Sequence, residues 1–226
     1  MHNSLVSIPV TDAESVTGVV SLPDAPGPAR ETGVIIAHGA GNDRETPLIV
    51  TLCTGLAEAG YPALRFNFPY REKGRRAPDP AGRLTLTWQA ACSFFLNYRR
   101  AGVQRIVAAG KSMGGRIASQ MAADGILAAE GLVLLGYPLH PAGKKDRKRA
   151  AHLPHVRIPM LFFAGTRDAL CDLKSLRQVL TNLRAPWELM VIEGGDHSFR
   201  LPKSAGTDQA PTFDRMLRKT VSWLDR

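Results

Sequence analysis

A serine between two glycines, directly after a short apolar run, constrains this chain more than any other feature. Ser112 stands in Gly110–Lys111–Ser112–Met113–Gly114, after the apolar residues 106–109 and before a stretch of helical character. A strand, then Gly-x-Ser-x-Gly, then a helix requires a very tight turn. Side chains at the glycine positions would collide across that turn, and the serine hydroxyl has to stand clear of the sheet. The pattern predicts a nucleophile elbow at Ser112.

Short apolar runs recur along the chain with helical patterns between them. Continuous apolar runs are typical of strands that helices cover on both faces. The sequence therefore predicts an α/β fold with a mostly parallel, doubly wound sheet and an N-terminal antiparallel hairpin. The predicted hairpin strands are 4–10 and 16–22, and the later strands are 34–37, 63–66, 105–109, 132–135, 160–164 and 187–192.

Helical patterns fill the intervals between these strands. They cover residues 47–59, 86–100, 113–123, 173–183 and 212–224, and a Pro- and Gly-rich turn is predicted over 23–28. We see no repeat, linker or shift in composition, so we expect a single domain over residues 1–226. The polar, basic segment 140–157 lies where a larger protein of this architecture could carry a lid, and we expect little or no lid there.

The formal net charge of +9 comes largely from two basic segments, residues 71–76 and 144–149. Such a charge permits attraction to nucleic acid or anionic surfaces. No nucleic-acid-binding motif accompanies it, so we expect solvated loops and no nucleic-acid partner. We expect no membrane association, because no run of about 18 apolar residues is present. The N-terminus lacks the features of a secretory signal, and the three cysteines are odd in number and widely spaced, which together indicate a cytoplasmic protein.

An activated serine needs a base within hydrogen-bond reach and an acid that orients the base. Among the six histidines, only His197 follows the last predicted strand in a glycine-containing loop. Asp168 directly follows a predicted strand and is the candidate acid, with Asp172 and Asp196 as alternatives. The order Ser112, Asp168, His197 is a known order for a catalytic triad. Each residue falls at the carboxyl end of a strand, where ligands bind in open α/β sheets.

A tetrahedral oxyanion needs two preorganised hydrogen-bond donors. The backbone N–H of Met113 is one candidate, since this residue begins the helix after the serine. The loop His38–Gly39–Ala40–Gly41 follows the first buried strand, and its glycines permit a turn that aims the backbone N–H of Ala40 inward. We interpret His38 as a structural support of this loop and not as a second base.

Two phosphate-binding patterns fail on spacing, and one metal-binding pattern lacks further ligands. A P-loop needs a glycine five residues before Gly110, where Arg105 stands, and a dinucleotide fingerprint needs a third glycine where Arg44 stands. His152 and His155 have metal-like spacing but no matching carboxylate or cysteine. We therefore expect neither a cofactor nor a metal ion.

The motifs together resemble those of a known group. Along the whole chain the sequence resembles small α/β-hydrolases of the dienelactone-hydrolase-like kind. It is most similar to the branch containing testis-expressed protein 30 and the NSL complex subunit 3. The specific signals are residues 110–116, and residues 66–70 followed by Gly74, Arg75, Arg76 and Pro78. The resemblance implies the α/β-hydrolase fold and catalytic roles for Ser112, Asp168 and His197. It implies little about the substrate, and a dienelactone hydrolase proper has a cysteine nucleophile instead of serine.

We predict a serine hydrolase that acts on small or medium carboxylic esters through an acyl-enzyme. A thioesterase or peptidase with the same triad is the nearest alternative, and a non-catalytic interaction module on the same fold is the next. Arg71, Arg75 and Arg76 follow a predicted strand, so they are candidates to bind an anionic group of a small-molecule acyl substrate. A solvated, salt-bridged loop is the alternative for these arginines. The sequence leaves the oligomeric state open.

Overall fold

The computed structural model describes residues 1–24, 31–202, 204 and 208–226. Eight strands within these residues form one sheet in the order β1-β2-β4-β3-β5-β6-β7-β8. The first two pairings, β1 with β2 and β2 with β4, are antiparallel, and all the others are parallel. The predicted fold class is confirmed. The strands are β1 (His2–Thr11), β2 (Glu14–Leu22), β3 (Thr32–Ala37), β4 (Ala63–Phe66), β5 (Arg105–Lys111), β6 (Gly131–Leu135), β7 (Met160–Gly165) and β8 (Trp187–Ile192).

Helices cover both faces of this sheet. They are α1 (Pro47–Glu58), α2 (Pro69–Glu72), α3 (Ala81–Asn97), α4 (Met113–Ala123), α5 (Leu173–Leu180) and α6 (Ala210–Leu224). Side chains alternate between the two faces of a strand. In β3, Val34 and Ile36 therefore join a core with α1 and α6, while Ile35 and Ala37 join a second core with α3, α4 and α5. Two buried layers thus fix the parallel strands, and the carboxyl ends of these strands all meet at one edge.

The largest departure from a predicted extent is in helix α3. Helix α3 begins at Ala81, before its predicted start, and Pro80 is its N-cap with φ −54°, an angle that the proline ring fixes. It ends at Asn97, and a single 3-10 turn leads to Gly102 at φ +62°. The short helix α2 was not predicted, since its four residues are too few for a periodic pattern. Most of the predicted turn at 23–28 lies outside the described residues.

The segment after β6 is folded mainly as turns. The regular secondary structure in this segment is one 3-10 turn, Leu153–His155, which packs against α4. No longer helix occurs in this segment, all of which the structure describes, so the predicted lack of a lid domain is confirmed. Across the described ranges, no helix has the length and apolarity that a bilayer span requires. Cys53, Cys92 and Cys171 are buried free thiols.

Candidate active site

Ser112 lies in a strained turn between β5 and α4. Its backbone adopts φ 50°, ψ −110°, a left-handed region that non-glycine residues rarely occupy. A Cβ on Gly110 would lie 2.2 Å from the backbone nitrogen of Gly115, and one on Gly114 would lie 2.7 Å from the carbonyl oxygen of His38. Both glycines are therefore required by direct backbone contact, as the predicted elbow demands.

The three side chains selected from the sequence come together at the carboxyl edge of the sheet. Ser112 Oγ donates a hydrogen bond of 2.9 Å to His197 Nε2, and His197 Nδ1 donates one of 2.8 Å to Asp168 Oδ2. The Asp168 side chain is fully buried, whereas that of His197 is one quarter exposed. Asp168 Oδ1 accepts a second hydrogen bond of 2.7 Å from the backbone N–H of Leu170. Both carboxylate oxygens are thereby held, which fixes the orientation of the imidazole.

The two alternative acids, Asp172 and Asp196, form hydrogen bonds with groups other than His197. Asp172 is the N-cap of α5, where its Oδ1 accepts from Ser175 N–H at 2.9 Å, and its Oδ2 pairs with Lys145 at 2.8 Å. Asp196 Oδ1 accepts from two backbone N–H groups of its own loop, at Ser198 and Arg200. Neither carboxylate hydrogen-bonds His197, so the geometry singles out Asp168 as the partner of this histidine.

The loops that carry Asp168 and His197 pack directly on each other. A Cβ on Gly165 would lie 2.2 Å from the carbonyl oxygen of Gly195, so only glycine allows this approach. Arg167 N–H donates to the same carbonyl at 2.8 Å. The buried Phe199, at φ 63°, then turns the chain away from the sheet. These contacts set the histidine over the carboxyl end of β5.

The predicted oxyanion donors lie on either side of Ser112. Met113 is the first residue of α4, so its N–H has no carbonyl from an earlier helical turn as a partner. A Cβ on Gly39 would lie 3.4 Å from Ser112 Cβ, which brings the loop of Ala40 alongside the serine.

His38 holds the Ala40 loop in place. Its Nε2 accepts from Phe68 N–H at 3.1 Å, so its Nδ1 carries the proton that is donated to Gly39 O at 2.8 Å. Burial lowers the pKa of this imidazole to about 4, which keeps it neutral. Both ring nitrogens are committed to backbone groups, in agreement with a structural role for His38.

The arginines of segment 71–76 differ in their partners. Arg71 pairs with Asp43 at 3.3 Å and donates to the carbonyl of Arg75 at 3.0 Å. The Arg75 guanidinium pairs at 2.5 Å with the buried Asp79, whose other oxygen accepts from Tyr70 N–H at 2.8 Å. Arg76 is exposed and forms no ion pair within the described ranges. Two of the three candidates thus have intramolecular partners.

Lys111 is a site residue that the sequence reasoning missed. Its side chain is 5% exposed, and among the described residues its Nζ has no hydrogen-bond partner. The ammonium group lies 5.6 Å from the ring centroid of Phe199, beneath the His197 loop. Burial lowers the pKa of Lys111 to about 8, although Asp168 and Asp196 act in the opposite direction. Strand alternation could have revealed it, since Val107, Ala109 and Lys111 share one face of β5.

We expect Lys111→Met to stabilise the fold. Because its pKa is lowered from 10.5 to about 8, a charged Lys111 destabilises the native state below pH 8, and this cost disappears as the pH rises towards 10.5. The variant also loses the cation–π contact with Phe199, which offsets part of this effect. We therefore expect its free energy of unfolding at pH 7 to exceed that of the wild type by about 2 kcal/mol. Urea unfolding from pH 7 to 10.5 measures it. The stability gap between variant and wild type should narrow over that range, and a variant less stable than the wild type at pH 7 would contradict the prediction.

Lys144→Met serves as the matched control, because this lysine is exposed in the segment after β6. Its replacement should change the free energy of unfolding by less than about 0.5 kcal/mol and leave the pH dependence unaltered.

The chain matches a known family and several solved structures. A family model of the alpha/beta hydrolase domain matches residues 30–225. Dienelactone hydrolase from Anabaena variabilis is 21% identical, with a TM-score of 0.72 over 98% of this chain and 96% of that chain. An alpha-beta serine hydrolase homologue from Coxiella burnetii is 18% identical, with a TM-score of 0.74 over 99% and 97%. The esterase Pf2001 from Pyrococcus furiosus is 16% identical, with a TM-score of 0.75 over 100% and 91%.

At such identities the three structures show a shared fold and no more. The family match is stronger, because it spans β3 to β8, the turn at Ser112 and the loops that carry Asp168 and His197. The chain therefore belongs to the alpha/beta hydrolase domain family.

Proposed function

We propose that this hydrolase cleaves small or medium carboxylic esters through a covalent acyl-enzyme on Ser112. One observation carries the proposal: a continuous hydrogen-bonded chain from Ser112 Oγ through His197 to the buried carboxylate of Asp168, with distances of 2.9 and 2.8 Å. A base within this distance of a serine hydroxyl, itself oriented by an acid, is the arrangement that activates the nucleophile.

The reaction would proceed in two halves. Ser112 Oγ attacks the ester carbonyl while His197 Nε2 takes its proton, and the tetrahedral oxyanion accepts from the N–H groups of Met113 and Ala40. The C–O bond to the leaving alcohol breaks as His197 returns the proton to the alcohol oxygen. Water, deprotonated by His197, then attacks the acyl-enzyme carbonyl. The acyl C–O bond to Ser112 breaks, and His197 returns the proton to Ser112 Oγ as the carboxylic acid leaves. Throughout, the charge of Asp168 stabilises the transient imidazolium.

The lack of a helical lid in the segment after β6 supports small or medium acyl groups as substrates. The segment after β6 supplies turns and one 3-10 turn, and not a helical lid that could enclose a long chain. Dienelactone hydrolase and an esterase among the structural neighbours support a carboxylic ester as substrate. A thioesterase or peptidase would use the same acyl-enzyme chemistry and is the alternative activity. Residues 110–116 and 66–70 support placement in the testis-expressed protein 30 and NSL complex subunit 3 branch.

We further propose that residues 1–226 form a single domain. Its support is that β1 and β2, which precede the residues matched by the family model, hydrogen-bond into the same sheet as the rest.

Covalent labelling tests the proposal directly. A fluorophosphonate should add one phosphonyl group to the folded protein, with loss of the fluoride, and peptide mapping should locate the adduct on Ser112. A series of p-nitrophenyl esters from acetate to dodecanoate should give its highest kcat/KM at a short or medium chain. Absence of labelling in folded protein would favour the non-catalytic interaction module, and a thioester series run in parallel identifies the thioesterase alternative.

We propose that Arg71, Arg75 and Arg76 bind an anionic group of the substrate. Replacement of Arg76 gives the clearest test. Arg75→Ala would leave the buried Asp79 without its ion-pair partner, whereas Arg76→Ala disturbs no described ion pair. We expect Arg76→Ala to raise KM for an ester with a carboxylate tail about fivefold, because an exposed charge pair contributes up to about 1 kcal/mol. KM for the uncharged analogue should stay constant. An equal change for both esters would refute charge recognition at Arg76.

A further inference from the structure

A basic cavity lies beside α4, the helix that follows Ser112. Its volume is about 420 Å³, and we name it the α4 basic pocket. It opens between α4 and the segment after β6. Its lining residues are Arg116, Gln120, Lys148, Arg149, Ala151 and His152. Three of these six residues have basic side chains, namely Arg116, Lys148 and Arg149, and none is acidic.

The three cations lack carboxylate partners. Within the described residues, no carboxylate oxygen lies within 4.0 Å of the charged nitrogens of Arg116, Lys148 or Arg149. Among the described residues, the guanidinium of Arg116 donates only one hydrogen bond, of 3.3 Å, to the neutral side chain of Gln120. Burial lowers the pKa of Arg116, and the charge of Arg149 acts in the same direction. Lys145, in the same basic segment, pairs with Asp172 at 2.8 Å and lies outside the pocket lining.

Internal hydrogen bonds hold the wall of the pocket in place. The backbone of Arg149 is fixed at both ends, since its carbonyl accepts from the Tyr137 hydroxyl at 2.6 Å and its N–H donates to Leu139 O at 2.7 Å. His152 Nε2 lies 2.8 Å from Ser119 Oγ on α4. Burial lowers the pKa of His152 to about 4, so the imidazole is neutral and adds no charge. The basic side chains therefore start from a fixed backbone, which lowers the entropic cost of binding.

We propose that the α4 basic pocket binds the phosphoryl group of a small phosphorylated molecule. A phosphate monoester carries nearly two negative charges and three acceptor oxygens, which suit two guanidinium groups and an ammonium better than a carboxylate does. Arg116 lies one helical turn after Ser112, and its N–H donates to Ser112 O at 3.0 Å. The phosphoryl group can thus belong to the ester substrate or to a separate ligand, and only the first source depends on the proposed esterase activity.

Calorimetric titration of the wild-type protein with phenyl phosphate tests the pocket without any turnover. We expect saturable binding, at least tenfold tighter than that of benzoate. Arg116→Gln and Arg149→Gln should each weaken it about tenfold. Arg147→Gln is the matched control, because this exposed arginine belongs to the same segment but does not line the pocket. The affinity of this variant for phenyl phosphate should equal that of the wild type. Equal affinity for benzoate, unchanged binding in both pocket variants, or an equal loss in the control would each overturn the proposal.

Kinetics then identify the source of the phosphoryl group. If it belongs to the substrate, Arg149→Gln should raise KM about tenfold for an ester with a phosphorylated acyl chain and leave KM for the unphosphorylated analogue unchanged. If it belongs to a separate ligand, Arg149→Gln should leave both KM values unchanged but still weaken phenyl phosphate binding. A protein that binds phenyl phosphate as expected but hydrolyses no ester would refute the esterase and retain the pocket.

Discussion

Replacement of Ser112 by alanine is expected to lower kcat for p-nitrophenyl esters by at least about 10⁴-fold, with little change in KM. The loss follows from the geometry, because Ser112 Oγ is the atom within 2.9 Å of His197 Nε2 and its removal leaves no nucleophile for acyl-enzyme formation. The remaining activity would come from binding and from the oxyanion donors, which alone retain about 10³-fold to 10⁴-fold catalysis over water in serine proteases. Steady-state kinetics with purified protein measures the change.

Ser222→Ala supplies the matched control, since this serine is exposed on α6 and lies outside the site. It should retain wild-type kcat and fluorophosphonate labelling, whereas Ser112→Ala should lose labelling with its melting temperature intact. Full activity in folded Ser112→Ala would refute the assignment of the nucleophile.

Replacement of Gly110 by alanine is expected to destabilise the fold by about 3 kcal/mol or more. The added Cβ would lie 2.2 Å from Gly115 N and 2.5 Å from Gly114 C, and these are backbone atoms that cannot rotate away. Relief requires β5 and α4 to separate, which moves Ser112 away from His197. Activity should therefore fall by about 100-fold or more even in the molecules that remain folded. Urea unfolding followed by circular dichroism, together with ester turnover, checks both effects.

Gly82→Ala isolates the effect of the added methyl group. Gly82 lies in α3, and a Cβ there would have no heavy atom within 4 Å. Alanine at this helical position should stabilise the protein by about 0.5 to 1 kcal/mol. If Gly110→Ala proved as stable as Gly82→Ala, the close packing of the elbow would be disproved.

The parallel strands could be predicted because burial on both faces makes each one a continuous apolar run. The predicted strand 63–66 and the predicted helix 113–123 match β4 and α4 residue for residue. Helix α3 was predicted less well, because its first turn is set by Pro80 and not by apolar periodicity. The candidate site could be predicted to one serine, one histidine and three alternative carboxylates, since Ser112, Asp168 and His197 each follow a strand and the carboxyl ends of parallel strands meet.

The remaining features depend on which loops pack against which. Sequence order could not reveal that Asp172 and Asp196 are committed to a helix cap and a turn. Nor could it show that Arg75 neutralises a buried aspartate while Arg116 and Arg149, distant in sequence, share a cavity without any acid. Such pairings depend on the three-dimensional distance between groups on different elements. Local periodicity in the sequence contains no information about that distance.

By itself, the sequence determined the fold class and the elbow at Ser112, and it limited the candidate partners to His197 and three carboxylates, because steric and hydrogen-bonding requirements at those positions admit few residue types. Only the tertiary structure decided which carboxylate reaches His197, that the ammonium group of Lys111 is buried beneath the histidine loop, and where basic side chains remain unpaired. Those outcomes depend on burial and on charge-to-charge distances, which exist only once the loops of separate strands have packed together.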